Sequence, residues 1–196
     1  MSLAKYKTKR NFEDTPEPSG KKGTSKDQLI FVVQRHHASH LHYDFRLELG
    51  GALKSWAVPK GPSLNPKDKR LAMMVEDHPI GYATFEGDIP AGNYGAGHVD
   101  VWDRGMYEPI DEEGNVISIA AFKRMLSAGS IKFRIYGRLL KGDFALVHIK
   151  KDEKTWLLIK HRDQYAVDDD YNSEDYAKKS SLAYTAARNQ QTVKKK

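Results

Sequence analysis

Between Leu41 and Leu49 the chain alternates without a break, with Leu41, Tyr43, Phe45, Leu47 and Leu49 at odd positions and His42, Asp44, Arg46 and Glu48 at even ones. Successive side chains of a strand point to opposite faces, so residues 40–49 read as one strand with an apolar core face and a polar face. The outer face of a half-buried strand needs only solvated residues, usually Lys, Thr and Glu. This one instead gathers the imidazoles of His40 and His42, two carboxylates and a guanidinium within roughly 20–30 Å of strand. That is the composition of a site.

The neighbouring stretches extend the pattern. Leu29, Ile30, Phe31, Val32 and Val33 form a strand-like apolar run, and Gly50-Gly51 is a two-residue hairpin signal leading into a strand at 53–58. Pro59-Lys60-Gly61-Pro62 stops it. Further short strands are expected at 70–76, 98–102, 130–136, 144–150 and 156–160, each rich in β-branched or aromatic residues and bounded by turn formers. The exception is 118–128, where Ala120, Ala121, Met125 and Leu126 fit a short amphipathic helix ended by Gly129. The fold class is therefore mostly β, an antiparallel barrel or sandwich with one short helix. Residues 1–28 read as an irregular N-terminal arm, 29–165 as the folded domain and 166–196 as a polar, mobile tail.

Composition narrows the chemistry. With no cysteine there is neither a disulfide framework nor a thiolate metal site. No run of eighteen apolar residues occurs, and the first residues lack the apolar stretch of a secretory signal, so the expected location is cytoplasmic. The net charge of +6 suits a polyanionic partner. No Gly-rich loop of the Walker or dinucleotide type is present, and Ile89 to Gly97, although rich in glycine, reads as a tight turn between strands.

Any metal must then sit on His and carboxylate. His42 and Asp44, two apart on one face, can reach one ion, and the donor set suits Mn²⁺, Fe²⁺, Co²⁺ or Zn²⁺. A third ligand has to come from elsewhere. His36 is the nearest candidate if the chain bends through His37-Ala38-Ser39, with His37 and His40 as alternatives; the opposite parity of His37 points it toward solvent. Arg46, one strand step beyond Asp44, can hold a phosphate through two parallel charge-assisted bonds, unless a carboxylate such as Glu48 engages it. His78, fixed before Pro79, and Tyr82 form a second pair, which from the residues alone reads as a loop histidine and a packed tyrosine.

Three blocks carry a resemblance. They are Gln34-x-His36-x-Ala38-Ser39-x-Leu41-His42-Tyr43-Asp44-Phe45-Arg46-Leu47-Glu48, then Leu53 through Ser63, then Glu76-Asp77-His78-Pro79 with Tyr82, Phe85-Glu86-Gly87, Ile89-Pro90 and Tyr94-Gly95. With Val101 to Gly105 and Trp156 to His161, the chain resembles the 3′-phosphoesterase domain of the bacterial DNA ligase D family from about Arg10 to Tyr165. The resemblance implies a small antiparallel β-barrel enzyme that uses Mn²⁺, with Co²⁺ or Zn²⁺ as other candidates. It implies removal of a 3′-terminal ribonucleoside and then a 3′-phosphate from DNA, leaving a 3′-hydroxyl for repair. His36, His42 and Asp44 become the expected metal ligands, Arg46 the phosphate-binding arginine, and His78 and Tyr82 further active-site residues. Gln34 supports the site, and Arg10 and Glu17 belong to an arm that closes over it. Arg10-Asn11-Phe12 departs from the family's Arg-Asp-Phe and removes a carboxylate, and His40 replaces a commonly basic residue. Implied partners are DNA with 3′-phosphate or 3′-ribonucleotide ends, a primer-template duplex, and a DNA ligase or end-joining proteins, in a nucleoid-associated setting without a membrane. These 196 residues hold no ligase or polymerase segment, so a free-standing version is expected. Two rival classes are a non-catalytic nucleic-acid module and an Fe(II) oxygenase with a His-x-Asp facial triad.

Overall fold

The computed structural model describes residues 3–20, 23, 28–149 and 152–181. Nine strands are present: β1 Ile30–His37, β2 Leu41–Glu48, β3 Leu53–Val58, β4 Lys69–Met74, β5 Gly87–Ile89, β6 Gly97–Ile110, β7 Ser130–Gly137, β8 Lys141–His148 and β9 Thr155–Lys160. They pair in the order β1-β2-β3-β4-β9-β8-β7-β6, and β6 also pairs with β1, closing an eight-stranded antiparallel barrel with no open edge. β5 adds to the first residues of β6, outside the ring. The fold class is therefore the mostly-β, antiparallel barrel read from the sequence.

Local chemistry explains the joints. Gly50 and Gly51 sit at φ 64° and 83°, and the amide of Leu49 donates to the carbonyl of Ala52 at 2.8 Å, a two-residue hairpin whose two positive φ angles favour glycine. Helix α2, Ile119–Ala128, is capped by Ser118, whose hydroxyl accepts from the Ala121 amide at 3.2 Å, and ends at Gly129 with φ 92°. Strand β6 is far longer than the expected 98–102. Gly105 and Pro109 read as breakers, yet both lie inside it. Gly105 is required there, because a Cβ would stand 2.1 Å from the Tyr136 carbonyl oxygen of the paired strand.

Two apolar layers enclose the β1–β2 hairpin. Inside the barrel, Phe31, Val33, Tyr43, Phe45 and Leu47 join Trp56, Trp102, Phe133 and Phe144 in a continuous filling of side chains. Outside it, Tyr6, Val32, Leu53, Tyr82, Phe85, Ile89 and Val99 form a second cluster. That outer layer is built by helix α1, Ala4–Thr8, and a single 3₁₀ turn, Ile80–Thr84, neither of which has a periodic sequence signal. The polar face of β2 is consequently covered rather than solvated, with Asp44, Arg46 and Glu48 all buried. His37 is buried as well, contrary to the solvent-facing orientation that its parity suggests.

At one end of the barrel the C-terminal segment folds back. Glu174 takes a bidentate pair of bonds from Arg35, both 2.8 Å, and accepts from the Tyr43 hydroxyl. The indole of Trp102 donates to the Ser173 carbonyl at 3.1 Å, and Gly61, at φ 69°, leaves room for the Ser173 side chain. Up to Ser181, the stretch read as a mobile polar tail therefore packs against the barrel, and residues 182–196 lie outside the described residues. Among the described residues no helix is long and apolar enough to cross a membrane.

Candidate active site

The site lies on the outer face of β1, β2 and β3. Antiparallel register places His36 opposite His42 and Gln34 opposite Asp44, while β3 sets Ser55 opposite Arg46. One ligand atom from each of His36, His42 and Asp44 falls within 4.8 Å of the others. His36 Nδ1 is 3.4 Å from Asp44 Oδ2, His42 Nε2 is 3.9 Å from Asp44 Oδ1, and the two rings are 4.7 Å apart.

The far nitrogen of each ring decides which atoms face the cluster. His36 Nε2 lies 2.8 Å from the Gly95 carbonyl and His42 Nδ1 lies 3.0 Å from the His40 carbonyl. A carbonyl only accepts, so each of these nitrogens carries a proton, and in the neutral form of each ring His36 Nδ1 and His42 Nε2 turn lone pairs inward. Two lone pairs and a carboxylate converging on one space repel one another unless a cation lies between them. These residues therefore fit a divalent ion, each histidine being oriented by a backbone acceptor behind it. Burial pushes the Asp44 carboxyl up, but the Arg46 guanidinium beside it outweighs that and holds the group well below the usual carboxylate range.

Arg46 is fixed from three sides. Its Nε donates to Gln34 Oε1 at 2.9 Å, one terminal nitrogen to the Ser55 hydroxyl at 2.8 Å, and the other to Asp44 Oδ2 at 3.1 Å. The guanidinium also lies 4.9 Å from the Tyr82 ring centre, a cation–π distance. Gln34 is set by donating its amide to the carbonyls of Tyr82 and Phe85, at 3.0 and 2.8 Å, which leaves its oxygen for Arg46. The carboxylate engaged by Arg46 is thus Asp44, not Glu48.

His78 stands beside this group. Its Nδ1 donates to the Glu76 carbonyl at 2.9 Å, so Nε2 is the acceptor for an Arg10 terminal nitrogen at 3.2 Å. Burial, with the Arg46 and Arg10 charges, drives the imidazole pKa well below its ordinary value, and the ring is neutral at pH 7. The arm completes the shell. Arg10 Nε and the Tyr82 hydroxyl both donate to Glu17 Oε1, at 2.8 and 2.9 Å, and Thr15 donates to the other oxygen at 3.0 Å. Burial raises the Tyr82 phenol far above its usual value, so it acts as a fixed donor.

All nine residues singled out from the sequence fall in this one region. His36, His42 and Asp44 form the cluster, Arg46, Gln34 and His78 border it, and Tyr82, Glu17 and Arg10 close the outer side. Asn11 stands apart, donating to Asp14 on the exposed arm. Sequence reasoning gave no role to Ser55, Glu76 or Gly95. Ser55 receives Arg46 and lies 3.3 Å from His78 Nδ1, Glu76 accepts from Arg10 at 3.3 Å and from Lys9 at 2.9 Å, and the Gly95 carbonyl holds His36.

Comparison with known proteins bears on the whole arrangement. The chain is 50% identical over 165 residues to the multifunctional non-homologous end joining protein LigD of Pseudomonas aeruginosa, covering 82% of this chain and 19% of that protein. It is 40% identical over 163 residues to the multifunctional non-homologous end joining DNA repair protein LigD of Mycobacterium tuberculosis, covering 83% and 20%. The LigD of Mycolicibacterium smegmatis is 41% identical over 169 residues, covering 83% and 21%. The chain spans about a fifth of the length of these curated relatives. Residues 34–148, the stretch that runs from Gln34 through every strand up to the end of β8, match the family described as the DNA Ligase D 3'-phosphoesterase domain, and it is to this family that the chain belongs.

Proposed function

We propose that this chain is a metal-dependent phosphoesterase acting on the 3′ ends of DNA. In this reading it removes a 3′-terminal ribonucleoside and a 3′-phosphate and leaves a 3′-hydroxyl. The observation that carries the reading is the convergence of His36 Nδ1, His42 Nε2 and the Asp44 carboxylate beside a pinned guanidinium. Family membership supports phosphoester hydrolysis as the chemistry to which that geometry is applied, the relatives' names support end joining as the setting, and a DNA ligase is the partner that this reading adds.

His36, His42 and Asp44 hold the ion, Mn²⁺ by the resemblance, with Co²⁺ or Zn²⁺ compatible with the same donors. Such an ion supplies Lewis acidity toward a phosphoryl oxygen and an acidified water. Arg46 keeps Asp44 ionised and aimed, and three of its five N–H groups are committed to Gln34, Ser55 and Asp44, leaving two for an anion at the cluster. That preorganised charge stabilises the oxygens of a phosphoryl group as negative charge builds on them. His78, neutral and accepting from Arg10, positions the arm's guanidinium rather than supplying a proton to the leaving oxygen. Tyr82 and Glu17 anchor Arg10 and exclude water above Arg46.

Matched oligonucleotides carrying either a 3′- or a 5′-phosphate, incubated with Mn²⁺ and then with EDTA, test the reading. Release from the 3′ end alone, abolished by EDTA, is expected. Equal release from the 5′ end would overturn the end specificity, and DNA binding without release from either end would make the chain a non-catalytic module.

A further inference from the structure

The turn from Ile89 to Gly97 does more than join β5 to β6. Two consecutive reverse turns shape it, with the Asn93 amide donating to the Pro90 carbonyl at 3.2 Å and the Ala96 amide to the Asn93 carbonyl at 3.1 Å. Gly92 and Gly95 take positive φ angles, 92° and 78°, on either side of Tyr94. The Gly95 carbonyl is fastened to His36, so the next side chain along, Tyr94, is presented at a fixed place beside the cluster. Its ring is 48% exposed. An aromatic of this size left in solvent on a braced turn calls for an explanation.

The surroundings supply one. Lys9 Nζ stands 4.3 Å from the ring centre and 3.1 Å from the hydroxyl, and the Arg10 guanidinium lies 5.7 Å from the ring. Arg10 in turn touches His78. Tyr94 also borders a cleft of about 910 Å³ shared with Lys5, Lys9, Lys54 and Lys154. Three acids, Glu76, Asp77 and Glu153, lie in the same cleft, and Lys9 and Lys54 pair with the first two. The charge there is nearly balanced, which weakens a purely electrostatic grip on a phosphate backbone. An exposed aromatic ring beside cations suits a different contact, the face of a nucleobase.

We propose that Tyr94 is the platform on which the last nucleobase of the DNA strand stacks while its 3′-phosphate occupies the His36–His42–Asp44 cluster. The choice of the terminal phosphate as the anchored group rests on the function proposed above. Stacking is tolerant of sequence, because every base offers a π-face, and it works equally on a single strand and on the open face of a terminal base pair. It gives the enzyme a contact that an isolated phosphate ester lacks.

The test is an equilibrium binding cycle with Mn²⁺ present, in which a 3′-phosphonate that cannot be hydrolysed stands for the 3′-phosphate. Fluorescence anisotropy follows oligonucleotides ending in that 3′-phosphonate, with either an intact or an abasic last residue, binding to wild type, Tyr94→Ala and Tyr94→Phe. For the intact end, Tyr94→Ala should weaken binding about tenfold, within the range of one base–aromatic stack, and Tyr94→Phe should stay close to wild type. Removing the base should weaken wild type to a similar extent, and Tyr94→Ala should then add nothing. Because no charge is removed, the salt dependence should keep its slope. Equal losses on intact and abasic ends would overturn the proposal by showing that Tyr94 acts through Lys9 and the arm, and a wild type blind to the missing base would overturn it too. A protein that passes this cycle yet releases nothing with Mn²⁺ would refute the phosphoesterase reading and leave the stacking site standing.

Discussion

Two arginine–glutamate pairs hold the N-terminal arm and the segment around Glu174 in place, and they make opposite use of the same chemistry. Arg10 and Glu17 belong to one arm, seven residues apart, with side chains only 4% and 0% exposed. Arg35 and Glu174 come from opposite ends of the sequence, and the Glu174 side chain keeps 28% exposure. Glu17 also receives Tyr82, while Arg10 reaches on to His78 and Glu76, so the pair is a link in the wall of the active site. Glu174 receives Tyr43 on the interior face of β2 and seats the C-terminal segment over the barrel end. A buried ion pair thus says nothing of its role until its remaining hydrogen bonds are followed. At the arm they lead to the chemistry, and at the barrel end they lead to the core.

Substitutions can break or sharpen that contrast. The largest effect is expected at the cluster that the N-terminal arm borders. Asp44→Ala should lower kcat/KM by at least about 10³-fold, the several kcal/mol that a bound ion contributes, while unfolding stays cooperative because the core face of β2 is untouched. Calorimetric Mn²⁺ binding should vanish with it, and full activity would sink the ligand assignment. Next comes Arg46. Arg46→Ala should lose about 10²–10³ in kcat, and Arg46→Lys should recover little, since a point charge cannot satisfy Gln34, Ser55 and Asp44 together.

The two glutamates then separate. Glu17→Gln should reduce kcat/KM about 10–100-fold, as supporting-shell changes do, and should also lower the melting temperature, because the Arg10 charge is left buried with a weaker partner. Glu174→Gln should cost stability alone: about 2 kcal/mol, within the range of hydrogen bonds to a charged group, which for a chain of this size is about 4–8 °C in Tm. Activity below the new Tm should be unchanged. A crossed result, with Glu174→Gln inactive or Glu17→Gln merely unstable, would erase the distinction. The acid limb offers the smallest and most specific check. Burial pushes the Glu174 carboxyl up, but bonds from Arg35 and Tyr43 outweigh it and hold its pKa below the ordinary 4.5. A depressed carboxyl adds stability that is fully present above 4.5 and lost as the pH falls below that value toward the folded-state pKa. Stability measured by urea titration should fall more steeply below pH 4.5 in wild type than in Glu174→Gln.

The same contrast marks what the sequence makes legible. β2, the Gly50-Gly51 hairpin, β3 and α2 could be read because their signals are local: alternation, a two-residue turn, a serine cap and a terminal glycine. β6 was cut short because Gly105 and Pro109 act as breakers by propensity and are overruled by pairing on both sides. The arm and the C-terminal segment carry no period at all, since what orders them is a partner far away in sequence. At the site, the residues named in advance sit on β1, β2 and the His78–Tyr82 stretch, with Arg10 and Glu17 on the arm named through the resemblance alone. Ser55 was missed although its signal was present: once Leu49 faces Ala52 across the turn, Arg46 has to face Ser55. Gly95 could not have been found this way, because its contribution is a backbone carbonyl, which every residue possesses.

A barrel is often a container, with a bore whose width limits what may enter. Here Trp56, Phe45, Phe133 and Phe144 make the bore solid, and the reactive groups stand on the outer wall. A molecule gripped on an outer wall has no length limit. One terminus can be held against a small patch of protein while the remainder runs off along the surface, so under the function proposed above a polymer of any size would be handled as though it were only its last unit.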